Sequence, residues 1–196
     1  MKAIRLLLSV TLLVMAIHAT AQELAEDLDA KYATELLKPG TTAPEFTLPN
    51  PEGKKISMSQ FKGQYVVMEF WASWCPDCRK LSPVVDSLIT KYACKKMAFV
   101  NVSFDNNKQA WVEYITNKMT SRKANHVSDL KKMKDSPVAQ AYHVKWIPSF
   151  YLIDPQGKVV LGTVEIDKID KKLSELASQI CGKDHKDGKC TCAKMK

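Results

Sequence analysis

Tyr65-Val66-Val67-Met68-Glu69-Phe70-Trp71-Ala72-Ser73-Trp74-Cys75-Pro76-Asp77-Cys78 is the stretch that decides the fold. Its first half is a nearly continuous apolar run, the pattern of a strand buried on both faces, with Glu69 as the one charge inside it. Beyond Cys75 the periodicity changes. Leu81, Val84, Val85, Leu88 and Tyr92 recur at helical spacing. The dithiol therefore sits where a buried strand ends and a helix begins. The first turn of a helix exposes unpaired amide N–H groups and the positive end of the helix dipole, and both favour a thiolate over a thiol. Cys75 is expected to be the attacking nucleophile and Cys78 the resolving thiol, together a redox-active Cys75–Cys78 disulfide. Pro76 suits the first helical position, where its missing N–H is no loss. Asp77 opposes the dipole and predicts a less oxidising dithiol. The bland alternatives are half of a zinc site, a structural disulfide or two chance buried cysteines. A zinc site lacks its second pair, because Cys190-Thr191-Cys192 has the wrong spacing.

Working outward, 97–104 (MAFVNVSF) reads as a second buried strand, and 111–118 and 137–143 as helices. Residues 149–153 and 158–161 flank the turn Asp154-Pro155-Gln156-Gly157, which is a hairpin signal. Ile169, Leu173, Leu176, Ala177 and Ile180 mark a final amphipathic helix. Upstream, Leu24, Leu28, Tyr32 and Leu36 predict a helix over 23–37, stopped by Lys38-Pro39-Gly40. Residues 43–48 read as an extended edge segment, with turns at 50–53 and 59–63. The order strand–helix–strand–helix–hairpin–helix implies an α/β sandwich, with helices on both faces of a mixed sheet.

The first residues, 1–21, have a basic start (Lys2, Arg5), an apolar run of about 12 residues and the small-residue pattern Ala19-Thr20-Ala21. A cleavable export signal is expected, cut before Gln22; the competing interpretation is an uncleaved membrane anchor, for which a run of about 20 residues is needed. The chain is thereby divided into 1–21 (signal), 22–40 (helical extension), 41–181 (one α/β domain) and 182–196 (a polar, cysteine-containing tail). All six cysteines fall after the signal, in a compartment where disulfides persist. The formal charge is +8, of which Lys2 and Arg5 supply two. The cations are scattered, without an aromatic-interleaved stripe. This argues against a nucleic-acid partner and gives some bias towards acidic ones.

These residues resemble the thioredoxin superfamily, and within it the exported TlpA/ResA-like branch. Phe70-Trp71-Ala72-Ser73-Trp74-Cys75 is similar to the passage from strand to active site. Pro83 matches the proline that kinks the active-site helix. Trp146-Ile147-Pro148-Ser149-Phe150, followed by Leu152-Ile153-Asp154-Pro155-Gln156-Gly157-Lys158, resembles the cis-proline segment and its hairpin. Ala43-Pro44-Glu45-Phe46 is similar to the extension that opens this branch. The resemblance implies a thioredoxin-like sandwich with an N-terminal extension and an insertion before the cis-proline strand. It also implies that Pro148 is cis and faces the dithiol, with Ile147 backbone groups, Trp74 and Pro76 forming the substrate-binding surface. An acid in an apolar strand should be hard to ionise. Because its counterpart in thioredoxin assists deprotonation of the buried thiol, Glu69 is expected to accept the proton of Cys78; the alternative is an ionised, outward or lysine-paired Glu69. Many branch members carry Asn at that position, and Ser149 replaces a more usual Thr.

The branch's usual task is reduction of partner-protein disulfides, sometimes those of apocytochrome haem-binding cysteines, with electrons from a membrane thiol donor. A monomeric periplasmic or otherwise exported reductase without a cofactor is the expectation, with no membrane insertion after signal cleavage. A disulfide-donating oxidase or isomerase is the nearest alternative. A thiol peroxidase needs Thr or Ser three residues before its cysteine, where this chain has Ala72. A metallochaperone would use Cys190, Cys192 and His185 of the tail, although a loose tail with a local disulfide is the plainer expectation. His126 and His143 are isolated, and no metal centre is expected. In the inferred fold the helices ending near Cys94 and Cys181 share one face of the sheet, which makes a structural Cys94–Cys181 bridge a hypothesis; four cysteines allow three pairings.

Overall fold

The structure is a computed structural model that describes residues 27–121, 123–181, 185–186 and 189–190. Its elements run α1 (Leu28–Tyr32), β1 (Thr47–Pro49), β2 (Lys55–Ser57), β3 (Tyr65–Trp71), α2 (Pro76–Tyr92), β4 (Met97–Ser103), α3 (Lys108–Lys118) and β5 (Ala124–Ser128). They continue with α4 (Pro137–Ala141), β6 (Ser149–Ile153), β7 (Val159–Thr163), α5 (Ile166–Cys181), β8 (His185–Lys186) and β9 (Lys189–Cys190).

The apolar run of 65–71 lies at the centre of a five-stranded sheet ordered β5-β4-β3-β6-β7. β3 pairs in parallel with β4, Tyr65 opposite Met97 through Trp71 opposite Ser103, and antiparallel with β6, Val66 opposite Ile153. The sheet is mixed, because β4 pairs with β5 in parallel and β6 with β7 antiparallel. With neighbours on both sides and helices above and below, β3 is buried at every position except Tyr65.

α2 and α5 cover one face through Val85, Leu88, Ile89 and Tyr92 against Ile169, Leu173 and Ile180, over Val67, Phe99 and Leu152. The other face carries Trp111 and Ile115 of α3, Val138 of α4 and the β1–β2 hairpin, packed on Met68, Phe70, Val100 and Tyr151. This is the thioredoxin-like sandwich, with helices on both faces.

The N-terminal helix is shorter than its apolar spacing predicts. It stops at Tyr32, and Leu36 turns into the core. Two tertiary contacts outweigh further helix here: Tyr32 stacks on Trp146 (centroids 4.2 Å apart), and the Leu37 amide donates to the Tyr151 hydroxyl at 2.9 Å. At the other end of this segment the Asp29 carboxylate accepts from the Thr163 hydroxyl and the Val164 amide, each at 2.8 Å, and pairs with Lys168 at 2.7 Å. Asp29, Glu165 and Asp27 hold the Lys168 ammonium well above its usual range, so this acidic cluster already has its cation.

Val84, placed on the buried stripe of α2, is instead 41% exposed. α3 begins three residues earlier than predicted because the Asn107 side chain caps it, accepting from the Ala110 amide at 3.1 Å. β2 and the edge strand β5 were not foreseen, since neither carries an apolar run. In the tail, β8 and β9 pair antiparallel with His185 opposite Cys190. The signal assigned to 1–21 lies outside the described residues. Among those described, no helix is long and apolar enough to cross a membrane.

Candidate active site

The dithiol stands at the N-terminus of α2. Cys75 is the residue that caps this helix, with extended backbone angles, and its Sγ accepts a hydrogen bond from the Cys78 amide at 3.2 Å. Sulfur thus takes the place that Ser, Thr, Asp or Asn usually fills. An amide N–H and the positive helix end both point at Sγ, the arrangement that stabilises a thiolate. Cys75 and Cys78 are joined as a disulfide with Cα atoms 5.3 Å apart. Both residues are buried, and Cys75 retains 4% exposure where Cys78 has none, so Cys75 is the less enclosed of the two.

The Ile147–Pro148 bond is cis. The Ile147 carbonyl oxygen lies 3.8 Å from the Cys75 Sγ, so this turn and the dithiol face one another. The Ser149 hydroxyl closes the turn by donating to the Trp146 carbonyl at 2.6 Å, while the Trp146 ring rests on Tyr32. Trp74 is 56% exposed beside the pair, a surface aromatic and not a core one. Pro76 is exposed next to it.

Glu69 is buried, 2% exposed. The Asn101 amide donates to its Oε2 at 2.8 Å, while its Oε1 is buried without a hydrogen-bond partner. Burial, with the charge of Asp86 adding to it, pushes the Glu69 carboxyl up to about 8. Asp86 belongs to α2, the helix that carries Cys78, and is held by the Thr120 hydroxyl at 2.9 Å.

A clamp on the active-site loop escaped the sequence reading. Asp105, itself 2% exposed, accepts from the Ser73 amide at 2.9 Å, the Ser73 hydroxyl at 2.7 Å and the Ser103 hydroxyl at 2.6 Å. It ties the turn that presents Trp74 and Cys75 to the end of β4. Its signal was an acid placed directly after a buried strand, at the sheet end where the dithiol emerges. Asp105→Asn puts an NH2 where hydrogen-bond donors already converge. The expected cost is about 2 kcal/mol, read as a lower urea midpoint at unchanged m-value.

Cys94 lies beyond the end of α2, in an isolated bridge with Met97. The Cys181 side chain lies outside what is described, as do Cys192 and the side chains of His185 and Cys190, so the tail's proposed chemistry falls there too. His126 sits on β5 and His143 follows α4, on separate elements.

The profile of the AhpC/TSA family matches residues 39–161, which takes in the dithiol, the cis-proline turn and the hairpin. The chain belongs to the AhpC/TSA family. Within it the chain is similar to the thiol-disulfide oxidoreductase ResA of Bacillus thuringiensis, 31% identical over 160 residues, 82% of this chain and 88% of the relative. ResA of Bacillus subtilis is 33% identical over 126 residues, covering 64% and 67% of the two chains. Among solved structures, a thiol-disulfide oxidoreductase from Bacteroides fragilis superposes with a TM-score of 0.64 at 29% identity, over 69% of this chain and 99% of that one. The thioredoxin domain of a Bacteroides vulgatus thiol-disulfide oxidoreductase gives 0.64 at 28%, over 71% and 98%. This AhpC/TSA member is a thioredoxin-like thiol–disulfide oxidoreductase. The position three residues before Cys75 is Ala72, fully buried and without a hydroxyl to offer a peroxide.

Proposed function

We propose that this oxidoreductase is exported and reduces disulfides in partner proteins, drawing electrons from a membrane thiol donor. The observation that carries the proposal is the Cys75 Sγ seated as the cap of α2, opposite the Ile147 carbonyl. The amide of Cys78 and the helix end stabilise the Cys75 thiolate of the reduced enzyme. That thiolate attacks one sulfur of a substrate disulfide held along the cis-proline turn. A Cys75–substrate bond forms, the substrate S–S bond breaks, and the first substrate sulfur leaves as a thiolate. Glu69 in its carboxylate form takes the proton of Cys78. The Cys78 thiolate then attacks the Cys75 sulfur, the mixed disulfide breaks, and the second substrate thiolate departs. Two electrons have passed to the substrate, and the enzyme is left with its Cys75–Cys78 bond. Trp74, Pro76 and the Ile147–Pro148 segment form the contact surface for the substrate chain. An acid titrating near 8 suits a proton acceptor working close to neutrality.

Export is supported by the three-part layout of 1–21. The direction of flow is tested by the reduction potential of the Cys75–Cys78 couple, with Cys75→Ser as the control. A value near about −270 mV, in the thioredoxin range, supports a reductase that needs a dedicated electron supply. A value near about −120 mV would make the protein a donor of disulfides.

A further inference from the structure

Two cations on the helices flanking Pro76 have no carboxylate partner among the described residues. Arg79 and Lys80 of α2 and Lys118 at the end of α3 line one open groove of about 420 Å³, together with Tyr114 and Pro76. Lys80 is drawn towards Asp77 at 3.5 Å, an exposed contact. The side chains of Arg79 and Lys118 are exposed and make no ion pair or hydrogen bond among the described residues. The Tyr114 hydroxyl on the groove wall lies 3.1 Å from the Ser82 hydroxyl. Pro76, the residue directly after Cys75, lines the groove, so a chain whose cysteine is engaged at Cys75 can continue into it.

We propose that this groove docks an acidic stretch of the substrate chain flanking its disulfide. The inference rests on the reductase reading and adds a substrate class to it: protein disulfides with Asp or Glu beside the target cysteine. Like the net charge of the whole chain, the groove favours acidic partners, and it sets Arg79 and Lys118, unpaired among the described residues, in one groove with Pro76, the residue next to the attacking Cys75. Guanidinium–carboxylate pairing at Arg79 would orient the segment. Charges at such a rim act chiefly on the rate of encounter and on the choice of partner.

The test uses pre-reduced protein and two disulfide-bridged peptides of equal length, one with Asp and Glu flanking its cysteines and one with Lys. Single-turnover reduction of the acidic peptide is expected to be about 5-fold faster at low salt, the size of two exposed ion pairs. The ratio should approach one at about 1 M salt, where charges are screened over about 3 Å. The double variant Arg79→Glu, Lys118→Glu should invert the ratio. Equal rates for the two peptides at low salt, or a preference unchanged in the double variant, would overturn the proposal. The uncharged probe dipyridyl disulfide separates the two levels. If it is reduced while the peptides are not distinguished, only the groove assignment falls; if it is not reduced, the reductase reading falls and the groove proposal with it.

Discussion

Cys75→Ser is expected to abolish disulfide exchange, lowering turnover of a protein disulfide by about 10³-fold or more. Cys78→Ser should behave differently. It keeps the attacking sulfur, so it should form a mixed disulfide with substrate and stop there, giving an adduct of enzyme plus substrate mass on a non-reducing gel. The asymmetry follows from the structure: Cys75 is the less enclosed of the two, and the amide that stabilises its sulfur is the backbone N–H of position 78, which the substitution leaves in place. An adduct with Cys75→Ser, or full turnover by Cys78→Ser, would reverse the assigned roles. Treating reduced protein with hydrogen peroxide adds a second discrimination. Fast consumption that survives Cys78→Ser would favour peroxidase chemistry within the AhpC/TSA family.

Glu69→Gln is expected to slow the enzyme and stabilise the fold, with both effects tied to pH. Desolvation, and after it the charge of Asp86, raises this carboxyl from 4.5 to about 8. The folded chain therefore holds a proton that the unfolded chain releases. The contribution of Glu69 to stability is full below about pH 4.5, declines as pH rises towards about 8, and is level above that. At about 1.4 kcal/mol per unit, the decline over this window is on the order of 4–5 kcal/mol. Glutamine carries no charge to bury. Urea midpoints of the variant should therefore lack this slope and exceed those of the wild type at pH 9. Breakdown of the mixed disulfide should slow by about 10²-fold, as expected on removing a general base, and its rate should lose the inflection near pH 8. If the variant kept the wild-type pH slope of stability, another group would be responsible for it. If stability changed as expected but mixed-disulfide breakdown did not, Glu69 would be a buried acid without a part in the chemistry.

The two predictions draw on different sources. The place of the Cys75–Cys78 pair was legible in the order of residues, because an apolar strand run leading into Cys-Pro-Asp-Cys and then into helical spacing leaves one place for the dithiol. That Glu69 is buried was also legible, from its place inside the apolar run. Its partner was not: Asn101 is 32 positions away and meets it only because β3 and β4 pair in parallel register. Asp105 was missed for the same reason, since its contacts with Ser73 cross from the end of one strand to the loop after another. The edge strand β5 was missed because a strand with one neighbour carries little of the apolar signal by which buried strands are recognised.

By itself the sequence determined the α/β layering, the position of the two thiols at a strand-to-helix junction and the hairpin after residue 149, while the cis state of Pro148 was implied by the family resemblance and is seen in the structure. The layering, the junction and the hairpin are written in local pattern: period, run length, turn residues and a short motif. Only the tertiary structure decided how far the N-terminal helix runs, which side chains clamp the active-site loop, and that Arg79 and Lys118 share a groove beside Cys75. These depend on contacts between residues distant in the chain, and such contacts are set by strand register and helix packing, which leave no local trace. Tyr32 shows the difference: its helical spacing with Leu28 and Leu36 is plain in the sequence, yet the helix ends there because its ring stacks on Trp146, more than a hundred residues away.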